Sequence, residues 1–413
     1  MMFILLIETK WQKQSVGGTK LETILILQGG GSLGAYECGV YNALYRHDIK
    51  FNMLAGSSIG AINASIIASA QNSCRNAASI LKDFWLRLAQ DIQSPLFLPQ
   101  LLPLPLAPFA ISSDKLMAIL SSMFSTICGN PNAFRPRWFE APSSYSLADY
   151  YYHHDFFPYS WNYLYDSAPL KRTLKEYINF DSLKMNPSAG DKEESARLIL
   201  TSTDVQKGEP VIFDNKRMDI DVDKIVACAS YPFYGIRWDK NGDRYLWDGS
   251  LLTNTPILEV IRASPATDKE FYVVDVFPRK QEELPRNMVE VWHRARDIIF
   301  MDKTDRNLEM ARDKQRYISF LKKINDIINS KEAQIDKKTQ AKLKEIWPEY
   351  DELAQSHGAI IKQITRIGRV EKLHYILEDA DFSLYRIKKL ITEGEEDAER
   401  ILNEKQGRNT QKV

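Results

Sequence analysis

The chain has 413 residues, and a prior of about 150 residues per domain leaves room for two or three domains or one large α/β unit with insertions. Hydrophobic residues make up 44 % and charged residues 26 %, which is ordinary for a folded globular protein and excludes a disordered or collagen-like chain. Lys plus Arg and Asp plus Glu balance at 54 each. A general nucleic-acid binder carries a basic excess, so nucleic acid is not an expected partner. Residues 1–20 read as an N-terminal extension. Its opening apolar stretch is too short for a secretory signal and suits a strand or a frayed end. Thr23-Ile24-Leu25-Ile26-Leu27 is a continuous apolar run ending at three glycines, as expected of a strand buried on both faces. A helix marked by Ala35, Cys38, Val40, Ala43 and Leu44 follows. A second strand over 51–55 then runs into Gly56-Ser57-Ser58-Ile59-Gly60 and another apolar helix. This β-α-β-α alternation predicts a doubly wound α/β sheet.

Residues 91–165 break the pattern and read as a capping insertion. Five prolines, Pro95 to Pro108, rule out a regular helix in their stretch, and tyrosines with Trp161 crowd its end. A helix over 170–177, strands over 197–203 and 210–213, and a buried strand over 271–276 follow. The division expected is a core domain over 21–285 and an exposed, charged, mostly helical extension over 286–413. That extension holds 26 Lys/Arg and 23 Asp/Glu in its 128 residues. Tyr317, Phe320, Leu321, Ile324, Ile327 and Ile328 fall on one helical face. A late strand is expected near 359–367 and a last helix over 383–402. No apolar run reaches the ~18 residues of a membrane helix, so no transmembrane segment is expected. Cys38, Cys74, Cys128 and Cys228 form no C-x-x-C pair. They suit reduced thiols in a cytoplasmic protein, one able to work at a membrane surface.

Gly29-Gly30-Gly31-Ser32-Leu33-Gly34 matches the dinucleotide pattern G-x-G-x-x-G. That use requires an acidic residue about 20 positions further on, at the end of the second strand. Ala55-Gly56-Ser57-Ser58 has no carboxylate there. The same loop can also offer backbone N–H groups to an oxyanion, or be a tight turn only. Gly56-x-Ser58-x-Gly60 is the pattern of a nucleophile elbow, a serine on a strand-to-helix turn. A serine nucleophile needs a base. His47, His153, His154, His293, His357 and His374 stand in no catalytic pattern, and no metal site is expected at His153-His154. Asp248, where the Tyr245-Leu246-Trp247 strand meets Gly249, is the better candidate base, although Asp-Gly is also a common turn.

These three motifs, in this order, resemble the patatin-like phospholipases. The flanks agree: Leu27-Gln28, Ile59-Gly60-Ala61-Ile62-Asn63-Ala64, Ala229-Ser230-Tyr231-Pro232-Phe233 and Asn254-Thr255-Pro256. Trp292 to Ile298 and Asp381-Phe382-Ser383 look like the C-terminal part of a bacterial branch of that family. The resemblance implies a three-layer α/β/α sandwich around a mainly parallel sheet, and hydrolysis of lipid acyl esters by a Ser58–Asp248 dyad without histidine, cofactor or metal. Gly29, Gly30, Gly31 and Gly34 would form the oxyanion loop, Gly56 and Gly60 would flank the nucleophile, and Gly249 would complete the turn at the base. The chain departs from the family at Leu33, where many members carry a basic residue, and at Ser250, where they carry Gly or Ala. A lipid-binding or partner-binding protein on the same fold is the alternative, followed by a histidine hydrolase using His293.

Overall fold

The computed structural model describes residues 21–90, 113–137, 161–184, 195–264, 268–281, 284–329, 336, 339, 341–343, 345–348, 360–370 and 378–410. The N-terminal extension, the proline-rich part of the insertion, most of its tyrosines, and His153 and His154 lie outside the described residues.

In chain order the front of the molecule contains β1 (Glu22–Leu27), α1 (Gly34–Arg46), β2 (Met53–Ser57), α2 (Ile59–Asn72), α3 (Ala77–Leu88) and α4 (Ser113–Cys128). After two short paired strands, β3 (Arg135–Pro136) and β4 (Tyr165–Asp166), come α5 (Ala168–Tyr177) and α6 (Phe180–Leu183). Next are β5 (Arg197–Asp204), β6 (Pro210–Asp214), α7 (Val222–Ala227), β7 (Asp239–Asn241), β8 (Arg244–Asp248) and α8 (Ile257–Ala263). The rear supplies β9 (Asp268–Asp275), α9 (Met288–Ile328), β10 (Ile360–Gly368) and α10 (Leu384–Thr410).

One eight-stranded sheet organises all of this, in the order β10-β9-β1-β2-β5-β8-β7, with β6 also paired to β5. The five strands from β10 to β5 are parallel, and β6, β7 and β8 are antiparallel to their neighbours. β1 shows why its run is continuously apolar. Leu25 and Leu27 join the larger core with α1, α2 and α3, whereas Ile24 and Ile26 join the smaller core with α8 and α9. Truncating such a fully buried side chain to alanine costs about 2–5 kcal/mol.

The register around β5 positions the site. β2 pairs with β5 up to Ser57↔Thr201, and β8 pairs with it from Ser202↔Asp248 onward. β6 pairs with Ile199 through Thr203, which overlaps both partners, so β6 holds one edge of β5 and β2 and β8 share the other. Ser58 and Asp248 are thereby brought together at adjoining positions along one strand edge.

One sequence expectation needs correction. The rear of the chain is helical, as its charge pattern suggested, but it is not merely an exposed addition. β10 forms an edge of the central sheet, and α10 buries Ile387, Leu390, Ala398 and Leu402 against the main core. Tyr36 of α1 donates a hydrogen bond to Asp397 of α10 at 3.0 Å, and Asn42 donates to Glu395 at 2.9 Å. The stripe from Tyr317 to Ile327 is helical yet exposed; Leu308 and Ala311, earlier on α9, make its core contact. Within residues 91–165, α4 follows the proline stretch, which itself lies outside the described residues. All four cysteines are free thiols, with Cys38 and Cys228 buried.

Candidate active site

β2 delivers its last residues into a sharp turn before α2. Ser58 occupies that turn at φ 53°, ψ −128°, a conformation that costs a non-glycine residue of order 1–3 kcal/mol. The turn closes so tightly that a Cβ on Gly56 would stand 2.2 Å from the Gly60 carbonyl oxygen. Any side chain there would force the turn open, which explains the glycine spacing around Ser58. The Ser58 N–H donates to the Cys228 carbonyl at 3.1 Å, and the Gly249 N–H donates to the same carbonyl at 3.3 Å. One peptide oxygen therefore ties the serine turn to the turn that follows Asp248.

Asp248 ends β8 and is fully buried. Its backbone is anchored on both sides: the N–H donates to the Ser230 carbonyl at 3.0 Å, and its own carbonyl accepts from Thr203 Oγ1 at 3.0 Å. Ser58 Oγ donates to Asp248 Oδ2 at 2.5 Å, and the Ser250 N–H donates to Oδ1 at 2.7 Å. Burial pushes the carboxyl pKa up to about 6, although the hydrogen bonds from Ser58 and Ser250 work in the opposite direction. No cation pairs with it among the described residues. A desolvated carboxylate with a pKa raised in this way has the basicity that general-base chemistry near neutral pH calls for.

The glycine loop runs from the end of β1 beneath this pair. Gln28 fixes its start, accepting from the N–H of Val276 at 2.9 Å and of Phe277 at 3.3 Å beyond β9. The Gly29 N–H donates to the Asn254 carbonyl at 3.3 Å, and Gly31 opens a 3-10 turn (Gly31–Leu33) that feeds into Gly34 and α1. Among the described residues no group accepts from the N–H of Gly30 or Gly31. Gly29, Gly30, Gly31 and Ser58 line one cavity of about 290 Å³, whose walls are mainly apolar, with Ile62, Leu88, Phe134 and Phe300 among them. Leu33, the position that is often basic in the family it resembles, is buried in the core rather than facing this space.

The structure brings together every site residue expected from sequence, and it adds others. Tyr234, Arg296, Asp379 and Phe382 line the same cavity. Arg296 donates to Asp379 at 2.7 Å, and the Tyr234 hydroxyl donates to the same carboxylate. Their only sequence signals were the stretches around Tyr231 and Arg296 and the Asp381-Phe382 pair, none of which suggested a role by spacing. His293 is committed elsewhere. Its ring nitrogens lie 3.4 Å from Glu378 and 3.6 Å from Asp297, so the partner of Ser58 is a carboxylate rather than this histidine.

Among solved structures, the chain is similar to VipD from Legionella pneumophila at 12 % identity and a TM-score of 0.34, covering 93 % of this chain and 67 % of that one. It is also similar to the type III effector ExoU at 14 % identity and a TM-score of 0.22, covering 81 % and 72 % of the two chains. ExoU in its complex with SpcU from Pseudomonas aeruginosa matches at 15 % identity and a TM-score of 0.24, over 81 % and 66 %. No curated protein matches in a sequence comparison. The family model described as "Patatin-like phospholipase" matches residues 25–261, more than half of the chain and the stretch that carries all three motifs. The chain therefore belongs to the patatin-like phospholipase family, a family of lipid hydrolases.

Proposed function

We propose that this protein hydrolyses acyl esters of lipids, phospholipids among them, through a Ser58–Asp248 dyad. The observation that carries this reading is the 2.5 Å hydrogen bond from a backbone-strained serine to a buried, cation-free carboxylate. Beside it lies an apolar cavity suited to an acyl chain. In the acylation step Ser58 Oγ attacks the ester carbonyl carbon as Asp248 accepts its proton. The carbonyl oxygen becomes an oxyanion facing the Gly30 and Gly31 N–H groups, where the field of α1 also favours negative charge. Collapse of this intermediate expels the lipid alcohol, which takes the proton from Asp248. Water then enters, gives a proton to Asp248, and attacks the acyl-serine. Breakage of that ester frees the fatty acid and returns the proton to Ser58. Each group ends as it began, so the cycle needs no redox partner.

The deciding experiment is a lipid panel with mass-spectrometric product detection, run on the intact protein and on Ser58→Ala. A fluorophosphonate probe should label Ser58, and the alanine variant should lose both labelling and fatty-acid release. Retained hydrolysis in the variant would sink the dyad. Saturable fatty-acid binding by the intact protein, with no turnover of any lipid, would favour the lipid-binding alternative.

A further inference from the structure

Gly30 and Gly31 can stabilise an oxyanion only if their N–H groups are already aimed, because reorienting a dipole during the reaction forfeits most of its benefit. A run of three glycines has little stiffness of its own. Something outside the loop must hold it: within the family match, which ends at residue 261, Asn254 holds the Gly29 end, whereas the contacts on Gly31 and Ser32 come from beyond it.

The support is a short turn of the C-terminal region, Glu378–Ala380. Two consecutive carbonyls of that turn meet two consecutive residues of the loop. Ser32 Oγ donates to the Glu378 carbonyl at 2.9 Å. Gly31, at φ +57°, lies so close to the Asp379 carbonyl that a Cβ would stand 2.3 Å from its oxygen. Both acidic side chains of the turn are held by charged partners. Glu378 is fully buried, with Arg369 at 2.7 Å, Arg386 at 3.4 Å and His293 at 3.4 Å. Asp379 is held by Arg296 and Tyr234, which share the wall of the cavity with it. Arg369 also donates to the Val276 carbonyl at 2.8 Å, close to where Gln28 grips the start of the same loop.

We infer that the Glu378–Asp379 turn, clamped by Arg296, Arg369 and Arg386, is a buttress that positions the Gly30–Gly31 oxyanion donors. The region outside the family match is thus a working part of the active site. Ser32, Glu378 and Asp379 are positioning residues: none is required to touch substrate, and each acts through the aim of the loop. This inference rests on the oxyanion role proposed above for the loop.

The test uses the full chain, a short activated ester, and a trifluoromethyl ketone of matching chain length, which forms a tetrahedral oxyanion on the serine. Ser32→Ala removes the hydrogen bond to Glu378, and Asp379→Asn weakens the grip of Arg296. Loss of one oxyanion donor costs on the order of 10²–10³ in kcat; a misaimed loop should cost about 10- to 100-fold. The expected result is that loss in kcat per titratable Ser58, with KM within about twofold and ketone affinity falling by a similar factor. A purely structural role would lower the melting temperature and the titratable fraction, leaving kcat per active site and ketone affinity intact. That outcome overturns the inference. If Asp379→Asn does not fold, Ser32→Ala decides alone, since it removes one hydroxyl and no charge. Ser58→Ala is assayed in parallel. If it stays active the dyad itself fails, whereas an inactive Ser58→Ala beside an unimpaired Ser32→Ala removes only the buttress.

Discussion

Asp248 and Glu378 are both carboxylates with no exposed surface, and they meet opposite electrostatic fates. Burial raises Asp248 to about 6, and only hydrogen bonds from Ser58 and Ser250 work against it. Burial also works to raise Glu378, but Arg369, His293 and Arg386 outweigh it and hold the group well below the usual carboxylate range. Depth in the protein therefore does not decide what a buried acid does; its neighbours do. A carboxylate surrounded by guanidinium groups is a permanent anion, useful for fixing a turn. One left with hydrogen-bond donors alone keeps a raised pKa, which is what the base of the proposed dyad needs.

The contrast can be broken at either end. The largest expected effect is chemical: Ser58→Ala and Asp248→Asn should each lower kcat on the order of 10⁴-fold, measured as fatty-acid release by protein shown to be folded. The next is a loss of stability. Glu378→Gln leaves buried arginines without their shared anion, which typically costs about 3–5 kcal/mol, read from denaturant midpoints at pH 7. Because the folded pKa of Glu378 is depressed, its contribution is present above the unfolded value and is lost as pH falls through the folded one. The difference between Glu378→Gln and the parent should therefore narrow only below about pH 4.

Asp248→Asn should do the reverse. A folded pKa raised from 3.8 to about 6 means that stability falls as pH rises between those values and stays low above them. Removing the carboxylate should raise stability by up to about 3 kcal/mol at pH 7–8 and change it little at pH 4, even as it abolishes turnover. A destabilised Asp248→Asn at pH 8 would show that the carboxylate is not held at a cost. The smallest effect is the pH profile of the parent enzyme. The base must be ionised to act, so kcat/KM should rise about tenfold per pH unit below about 6 and level off above it. An inflection near 4 instead would place Asp248 among the unperturbed carboxylates.

The two regions also differ in how far the sequence disclosed them. Ser58 and its flanking glycines were legible because the constraint is local: the turn brings Gly56 and Gly60 into contact within five residues. Asp248 was legible as a strand end before a glycine, although its role came through resemblance. The sheet's core strands could be read because two-sided burial leaves a continuous apolar run, as in β1. The Glu378 cluster could not be read this way. Arg296, Arg369, Glu378 and Arg386 are scattered over ninety residues in a segment where charges are frequent, and nothing local distinguishes those that join the cluster. The same density of charge made β10 and α10 resemble a surface addition, although their apolar residues complete the sheet and the core beside α1.

The shared edge of β5 has a consequence for how such an enzyme can diversify. Ser58 and Asp248 are 190 positions apart in sequence, yet the register of β2 and β8 on β5, and the Cys228 carbonyl between their turns, set the distance between them. Chain inserted or removed between α3 and α5 changes neither pairing. A lineage could therefore rebuild the stretch from which Thr126, Phe134, Leu164 and Tyr165 line the cavity while inheriting the pairing of Ser58 with Asp248 unaltered.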